Sequence, residues 1–152
     1  IGFKNDSGGY EIRNKYSKIC LGKKDISTIK NGEESLGIFE GFFDLLSFKT
    51  LEDDLQKKPS DYIILNSVSM IPKIKNLIQN YQKVELYFDN DNAGNRAVEM
   101  IKNAGDNIED CRNLYSDFKD INDWLVNDVQ QEEKLSSTLV QKVPKVYNKR
   151  RR

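Results

Sequence analysis

Histidine is absent from this 152-residue chain. Without an imidazole, Ser-His-Asp and Cys-His relays are excluded. Cysteine is nearly absent too: Cys20 and Cys111 stand far apart, in neither a C-x-x-C pair nor a framework. That excludes a Cys/His zinc site within the chain and points to a reducing, cytoplasmic setting. No run approaches the roughly 18 uncharged apolar residues of a membrane span, and no signal-peptide pattern is present. A membrane is therefore not expected as a partner. An initiator methionine is also missing, so Ile1 is expected to begin a fragment or processed piece with neighbouring domains outside it. Catalysis would have to rest on carboxylates, lysines, tyrosines and a bound metal.

What remains suits one ordinary domain, long enough to bury roughly two-thirds of its unfolded surface. Apolar residues make up 38% and charged residues 32%, polar for a globular protein but not disorder-like. The net charge of zero hides an asymmetry. Residues 1–32 carry seven Lys/Arg and three Asp/Glu, or +4, and residues 142–152 carry six Lys/Arg and no acid, or +6. Segment 33–141 holds the other eleven basic and twenty-one acidic residues, or −10. Basic flanks around an acidic centre suit a protein that holds polyanions by its edges and metal by its middle. For Lys149 to Arg152, a solvated tail is an equally good reading.

Residues 1–32 read as short strands and turns: Gly8-Gly9, then Tyr10 to Arg13, then Ile19 to Leu21, punctuated by Gly22 and Gly32. From Ser35 strands alternate with helices. Strands are expected at Leu36–Phe39, Tyr62–Leu65, Val84–Phe88 and Ile108–Leu114. Helices are expected from Gly41 through Leu51, from about Met70 to Tyr81, over Ala93–Ala104 and over Asn122–Val129. Pro72 falls in a first helical turn, where proline is tolerated. The alternation predicts an α/β fold, a mainly parallel four-stranded sheet flanked by helices, behind a short N-terminal β-rich segment. Three regions follow: 1–32, 33–135, and a basic, irregular tail over 136–152.

Acids cluster just after three of these strands: Glu40 with Asp44, Asp89 with Asp91, and Asp117, Asp120 and Asp123. A parallel sheet gathers its strand C-termini on one edge, so acids distant in sequence can converge there. Glu40 and Asp44 are spaced i, i+4, as for one helical face. Four to six carboxylates together are unfavourable unless a cation compensates, so the cluster predicts metal. A hard ion such as Mg²⁺ suits this ligand set, and Mn²⁺ can substitute. An EF-hand does not fit: Ala93 replaces the third ligand and Met100 occupies the glutamate position. Capping of the next helix by Asp91 or Asn92 explains part of the pattern but does not require Asp89. Gly94, in the first turn of that helix, and Gly41 also suit phosphate binding by backbone N–H groups.

These residues resemble a known family. "IFEGFFD" (Ile38 to Asp44) and "YFDNDNAGNRA" (Tyr87 to Ala97) look like the first two motifs of the Toprim domain of bacterial-type primases, topoisomerases and some nucleases. "KDINDWL" (Lys119 to Leu125) is similar to the third acidic motif of its primase branch, and "GGYEIRN" to the segment before Toprim in primases of plasmids, phages and mobile elements. The resemblance covers about residues 33–128 and implies a Toprim-like Rossmannoid fold. It also implies roles: Glu40 as acid/base and metal-linked group, Asp89 and Asp91 as the metal pair, and Asp44 and Asp120 as further acidic positions. Asp123 matches less closely, because the third motif is variable. Zinc-ribbon cysteines are lacking, so any template-reading module would lie elsewhere.

Other residues read more plainly. Trp124, Phe42, Phe43 and Phe48 are expected in the core rather than as nucleobase platforms. Tyr10, Tyr16 and Arg13 on the basic segment are candidates for nucleic-acid contact, though a folded hairpin also accounts for them. Lys73, Lys75 and Arg96 can reach phosphate, against the default of solvated helix faces. The leading expectation is a primase-like nucleotidyltransferase module that makes primers on single-stranded DNA. It would use Mg²⁺ and nucleotides and work beside other domains or a helicase. The alternatives are a Toprim nuclease or topoisomerase-like strand-cleaving protein, or a non-catalytic nucleic-acid-binding module.

Overall fold

The computed structural model describes the backbone of residues 1–14 and 16–141, with side chains up to residue 131. Strands β1 (Gly2–Lys4), β2 (Tyr10–Arg13) and β3 (Lys18–Leu21) form a three-stranded antiparallel sheet. The chain then continues through β4 (Ser27–Ile29), β5 (Ser35–Phe39), α1 (Phe42–Leu51), β6 (Asp61–Ile64) and α2 (Ile71–Ile78). It ends with β7 (Lys83–Tyr87), α3 (Asn92–Lys102), β8 (Ile108–Asp110) and α4 (Ile121–Gln141). The second sheet has the order β4-β6-β5-β7-β8. β5, β6, β7 and β8 pair in parallel, and β4 lies antiparallel against β6.

The four expected parallel strands are present, and a fifth joins them from the segment read as N-terminal. Ser27–Ile29 pairs with Tyr62–Ile64, and the neighbouring Ile26 is buried in the main core. A three-residue strand with Ser and Thr carries too little alternation to separate it from a turn. β8 stops at Asp110 because residues 112–115 wind into a short 3-10 turn. The last helix runs to Gln141, well past Leu135, where irregular chain was expected. The basic cluster at 149–152 lies outside the described residues.

Strand alternation sorts the main sheet into two apolar faces. Leu36, Ile38, Ile63, Val84 and Leu86 pack toward Ile74 and Ile78 of α2 and Val98 and Ile101 of α3. Phe39, Tyr62, Ile64 and Tyr87 pack toward Phe42, Leu45 and Phe48 of α1 and Ile121 of α4. Strands buried on both faces need near-continuous apolar runs, and these have them. The second face is aromatic: Phe39 stacks on Tyr87 with centroids 4.8 Å apart and planes within 6°. The small sheet docks on this side, where Phe3 stacks on Phe42 at 5.7 Å. Phe42 and Phe48 are buried, and Phe43 and Trp124 pack partly buried against the same core, as expected of them. Among the described residues, no helix is long and apolar enough to cross a membrane.

Two buried aspartates tie loops to this frame. Asp61 Oδ1 accepts N–H groups of Asn31, Gly32 and Glu33 at 2.7, 3.0 and 3.2 Å, and Oδ2 accepts the Tyr81 hydroxyl at 2.8 Å and meets Lys30 at 3.2 Å. Burial acts to raise its pKa, but these donors outweigh burial and hold it at about 2. Asp25 is also lowered to about 2, by Lys73 first and then by Ser7. Both values lie below the unfolded value of about 3.9. The stability they confer is therefore complete above about pH 4 and lost as pH falls toward 2. Asp61→Ala should be clearly less stable than wild type at neutral pH. That gap should narrow between about pH 5 and pH 2, as read by denaturant melts followed by circular dichroism.

Candidate functional site

Parallel pairing of β5 and β7 sets Phe39 beside Tyr87, so the residues that follow both strands emerge at one sheet edge. After β7 the chain turns through Asp89, Asn90 and Asp91 into α3. Asp91 caps that helix, its Oδ1 accepting the N–H groups of Ala93 at 2.8 Å and Gly94 at 2.9 Å. The Gly94 amide, with help from Ala93 and the charges of Lys119 and Arg96, lowers its pKa. A Cβ on Gly94 would lie 2.0 Å from the Asp89 carbonyl oxygen. Only a residue without a side chain lets the helix start this close to the strand end.

The third acidic segment is pinned to the same loop by Asn90. Its N–H donates to the Lys119 carbonyl at 2.6 Å, and its Nδ2 donates to the Tyr115 and Phe118 carbonyls at 2.9 Å. The Tyr115 hydroxyl adds a bond to the Phe88 carbonyl at 3.0 Å. Asp120 then caps α4, its Oδ1 accepting the Asp123 N–H at 2.7 Å, while Asp123 Oδ2 accepts the Lys119 N–H at 3.3 Å. Asp123 is thus engaged in the turn itself.

These connections bring carboxylate oxygens of Asp44, Asp89 and Asp120 within 4.8 Å of one another. Asp44 arrives from the first turn of α1, where its Oδ2 also accepts the Gly41 N–H at 3.1 Å. Burial, then the charges of Asp120 and Asp89, push its pKa up to about 7, against the pull of Arg13 and the Gly41 amide. Asp89 is raised mainly by burial, with Lys119 pulling the other way. Glu40 is raised by burial and by repulsion from Asp89 and Asp91, and its Oε2 is buried without a hydrogen-bond partner. Because α1 begins at Phe42, Glu40 precedes the helix and does not share a helical face with Asp44. Asp89 is the shared member: it clusters with Asp44 and Asp120, and its charge also acts on Glu40.

The remaining candidates separate by position. Arg13 reaches the edge from β2, its guanidinium carbon 5.9 Å from the Phe43 ring centroid. With Asn14, Phe43, Asp44, Asp120 and Asn122 it lines a cavity of about 500 Å³. Arg96 is exposed on α3. Lys73 pairs with Asp25 and is not among the groups around Asp89. The amides of Gly41 and Gly94 are taken by Asp44 and Asp91. Sequence reasoning gave no role to Asn90, Lys119 or Asn122. The D-N-D spacing offers no sign that its middle residue bonds to a loop nearly thirty residues on.

A hard divalent cation fits this donor set. The oxygens converge, Arg13 and the Gly41 amide offset only part of the cost of charging buried Asp44, and the Glu40 Oε2 lacks a partner. A second cluster, Glu85, Glu109 and Cys111, fits less well. Glu85 is already bound by Lys57 and Lys83 at 2.8 Å and by Tyr87 at 3.1 Å, and burial pushes the Cys111 thiol up to about 11.

Comparison with known proteins agrees with the geometry. The model of a family described as Toprim-like matches residues 37–125, and that of a domain of unknown function matches residues 1–22. No curated protein matches. The primase fragment of the bacteriophage T7 primase-helicase protein superposes with a TM-score of 0.60 at 19% identity. That match covers 88% of this chain and 59% of the phage fragment, so this chain spans well under two-thirds of it. A chain in the structure of bacteriophage T7 lagging-strand DNA polymerase interacting with primase domains of two gp4 subunits bound to an RNA/DNA hybrid and dTTP also superposes at 0.60. There the identity is 20%, covering 88% of this chain and 72% of the other. At these identities the fold is what is shared.

Two stability measurements test the geometry without metal. The raised pKa of Asp44 costs stability that sets in as pH rises above about 4 and is complete above about 7. Asp44→Asn should therefore melt several degrees above wild type at pH 8, in chelator, and level with it near pH 4. Gly94→Ala should lose about 2 kcal/mol or more in denaturant melts, because the helix must retreat from the Asp89 carbonyl.

Proposed function

This chain belongs to the Toprim-like family, and we propose that it is the catalytic module of a DNA primase-like nucleotidyltransferase. The observation that carries this reading is the meeting of Asp44, Asp89 and Asp120 at one sheet edge, beside Glu40, whose buried Oε2 has no hydrogen-bond partner. Asp89 would be the central metal ligand, with Asp44 and Asp120 beside it and Glu40 and Asp91 next outward. Mg²⁺, or Mn²⁺ in its place, would supply Lewis acidity there, neutralising phosphate charge and easing loss of the hydroxyl proton.

The chain's own residues then have distinct tasks. Glu40, made more basic by burial and by the charges of Asp89 and Asp91, takes the proton of the attacking primer 3′-hydroxyl. The freed oxygen bonds to the nucleotide α-phosphorus, the bond to the β-phosphate oxygen breaks, and pyrophosphate leaves. Arg13, at the cavity rim, meets the phosphates, and Arg96 offers a second cation from α3. The basic segment 1–32 tracks the single-stranded template. Other domains of the same protein, or a helicase, would supply template reading.

The same carboxylates suit phosphodiester cleavage, so the deciding assay has two arms. Single-stranded DNA and Mg²⁺ are incubated with the chain, with and without NTPs. Primers that require NTPs are expected, together with at least about 100-fold loss in Asp89→Asn at unchanged far-UV circular dichroism. DNA shortened without NTPs would make the protein a nuclease. Primer synthesis by Asp89→Asn at the wild-type rate would overturn the proposed centre.

A further inference from the structure

Lys119 places a positive charge among the carboxylates that a metal would bind. Its Nζ lies 3.3 Å from Asp89 Oδ2 and 3.8 Å from Asp120 Oδ2, with the side chain 60% exposed. Its backbone is fixed on both sides, the carbonyl by the Asn90 N–H and the N–H by Asp123 Oδ2. A flexible four-carbon stem therefore swings from a rigid base. An ion pair this exposed is weak, so the ammonium can leave the edge without disturbing the loop.

We propose that Lys119 is an exchangeable counter-ion, neutralising the carboxylates when metal is absent and displaced when a divalent cation binds, so that it sets the metal affinity of the site. The inference rests on the metal centre proposed above. A divalent ion on the Asp89 carboxylate would repel an ammonium held 3.3 Å from one of its oxygens. The lysine, already 60% exposed, would then swing outward into solvent. A purely structural ion pair predicts the reverse, because losing it would loosen the Asp120 loop and weaken metal binding.

The test is Mn²⁺ titration of the whole chain, read from the electron paramagnetic resonance signal of free Mn²⁺. Wild type is compared with Lys119→Gln, Lys119→Met, Lys119→Arg and Asp89→Asn, each checked by circular dichroism. Both charge-removing variants should bind Mn²⁺ about fivefold more tightly, and Lys119→Arg should stay near wild type. Unchanged or weaker binding in the folded Gln or Met variant would overturn the proposal, with the centre itself upheld if Asp89→Asn binds far more weakly than wild type. Equal binding by Asp89→Asn and wild type would instead remove the metal centre, and Lys119's role with it.

Discussion

Carboxylates crowded into a partly dry volume repel one another unless positive charge lies between them. Asp44, Asp89 and Asp120 are held in that condition by the sheet register and the turns that follow it. Phe39 and Tyr87 share a register, which brings the ends of β5 and β7 to one edge. Asp91 starts α3 and Asp120 starts α4, so each cap fixes the direction of a nearby acid. Asn90 fastens the third segment to the second through three backbone carbonyls. Burial first, and then the charges of Asp120 and Asp89, push Asp44 up to about 7.

The supporting frame is stiff where it has to be. Beneath the acidic edge Phe39 stacks on Tyr87 with Phe48 tilted against both, and close-packed rings leave little slack. The small N-terminal sheet is more than a leader to this frame. Through Phe3 on Phe42 it docks beside the site, and Arg13 comes with it, the basic group that lowers Asp44 and lines the cavity.

Much of this was legible in the sequence because period and punctuation carry it. The runs at 36–39, 62–65 and 84–88 fall on the parallel strands to within a residue, and Asp44 and Asp89, after the first and third of them, do converge with Asp120. Ser27–Ile29 was less legible, since its pairing with Tyr62–Ile64 is long-range and three residues hold no pattern. The membership of the acidic trio was also hidden. The i, i+4 spacing of Glu40 and Asp44 assumed a helix through both, but the cap at Gly41 splits them between a strand end and a helix. Asn90 reaches backbone carbonyls of a distant loop and Lys119 reaches back to Asp89 through its ammonium, and such long-range contacts leave no trace in residue spacing.

The central claim is that these acids form one cation site, and a crystal grown in Mn²⁺ tests it most directly. The account predicts an anomalous peak at coordination distance from the Asp89 carboxylate, with Asp44, Asp120 or Glu40 completing its protein ligands. A saturated crystal with no peak at Asp89, or with manganese at Glu85 and Glu109 instead, would contradict it.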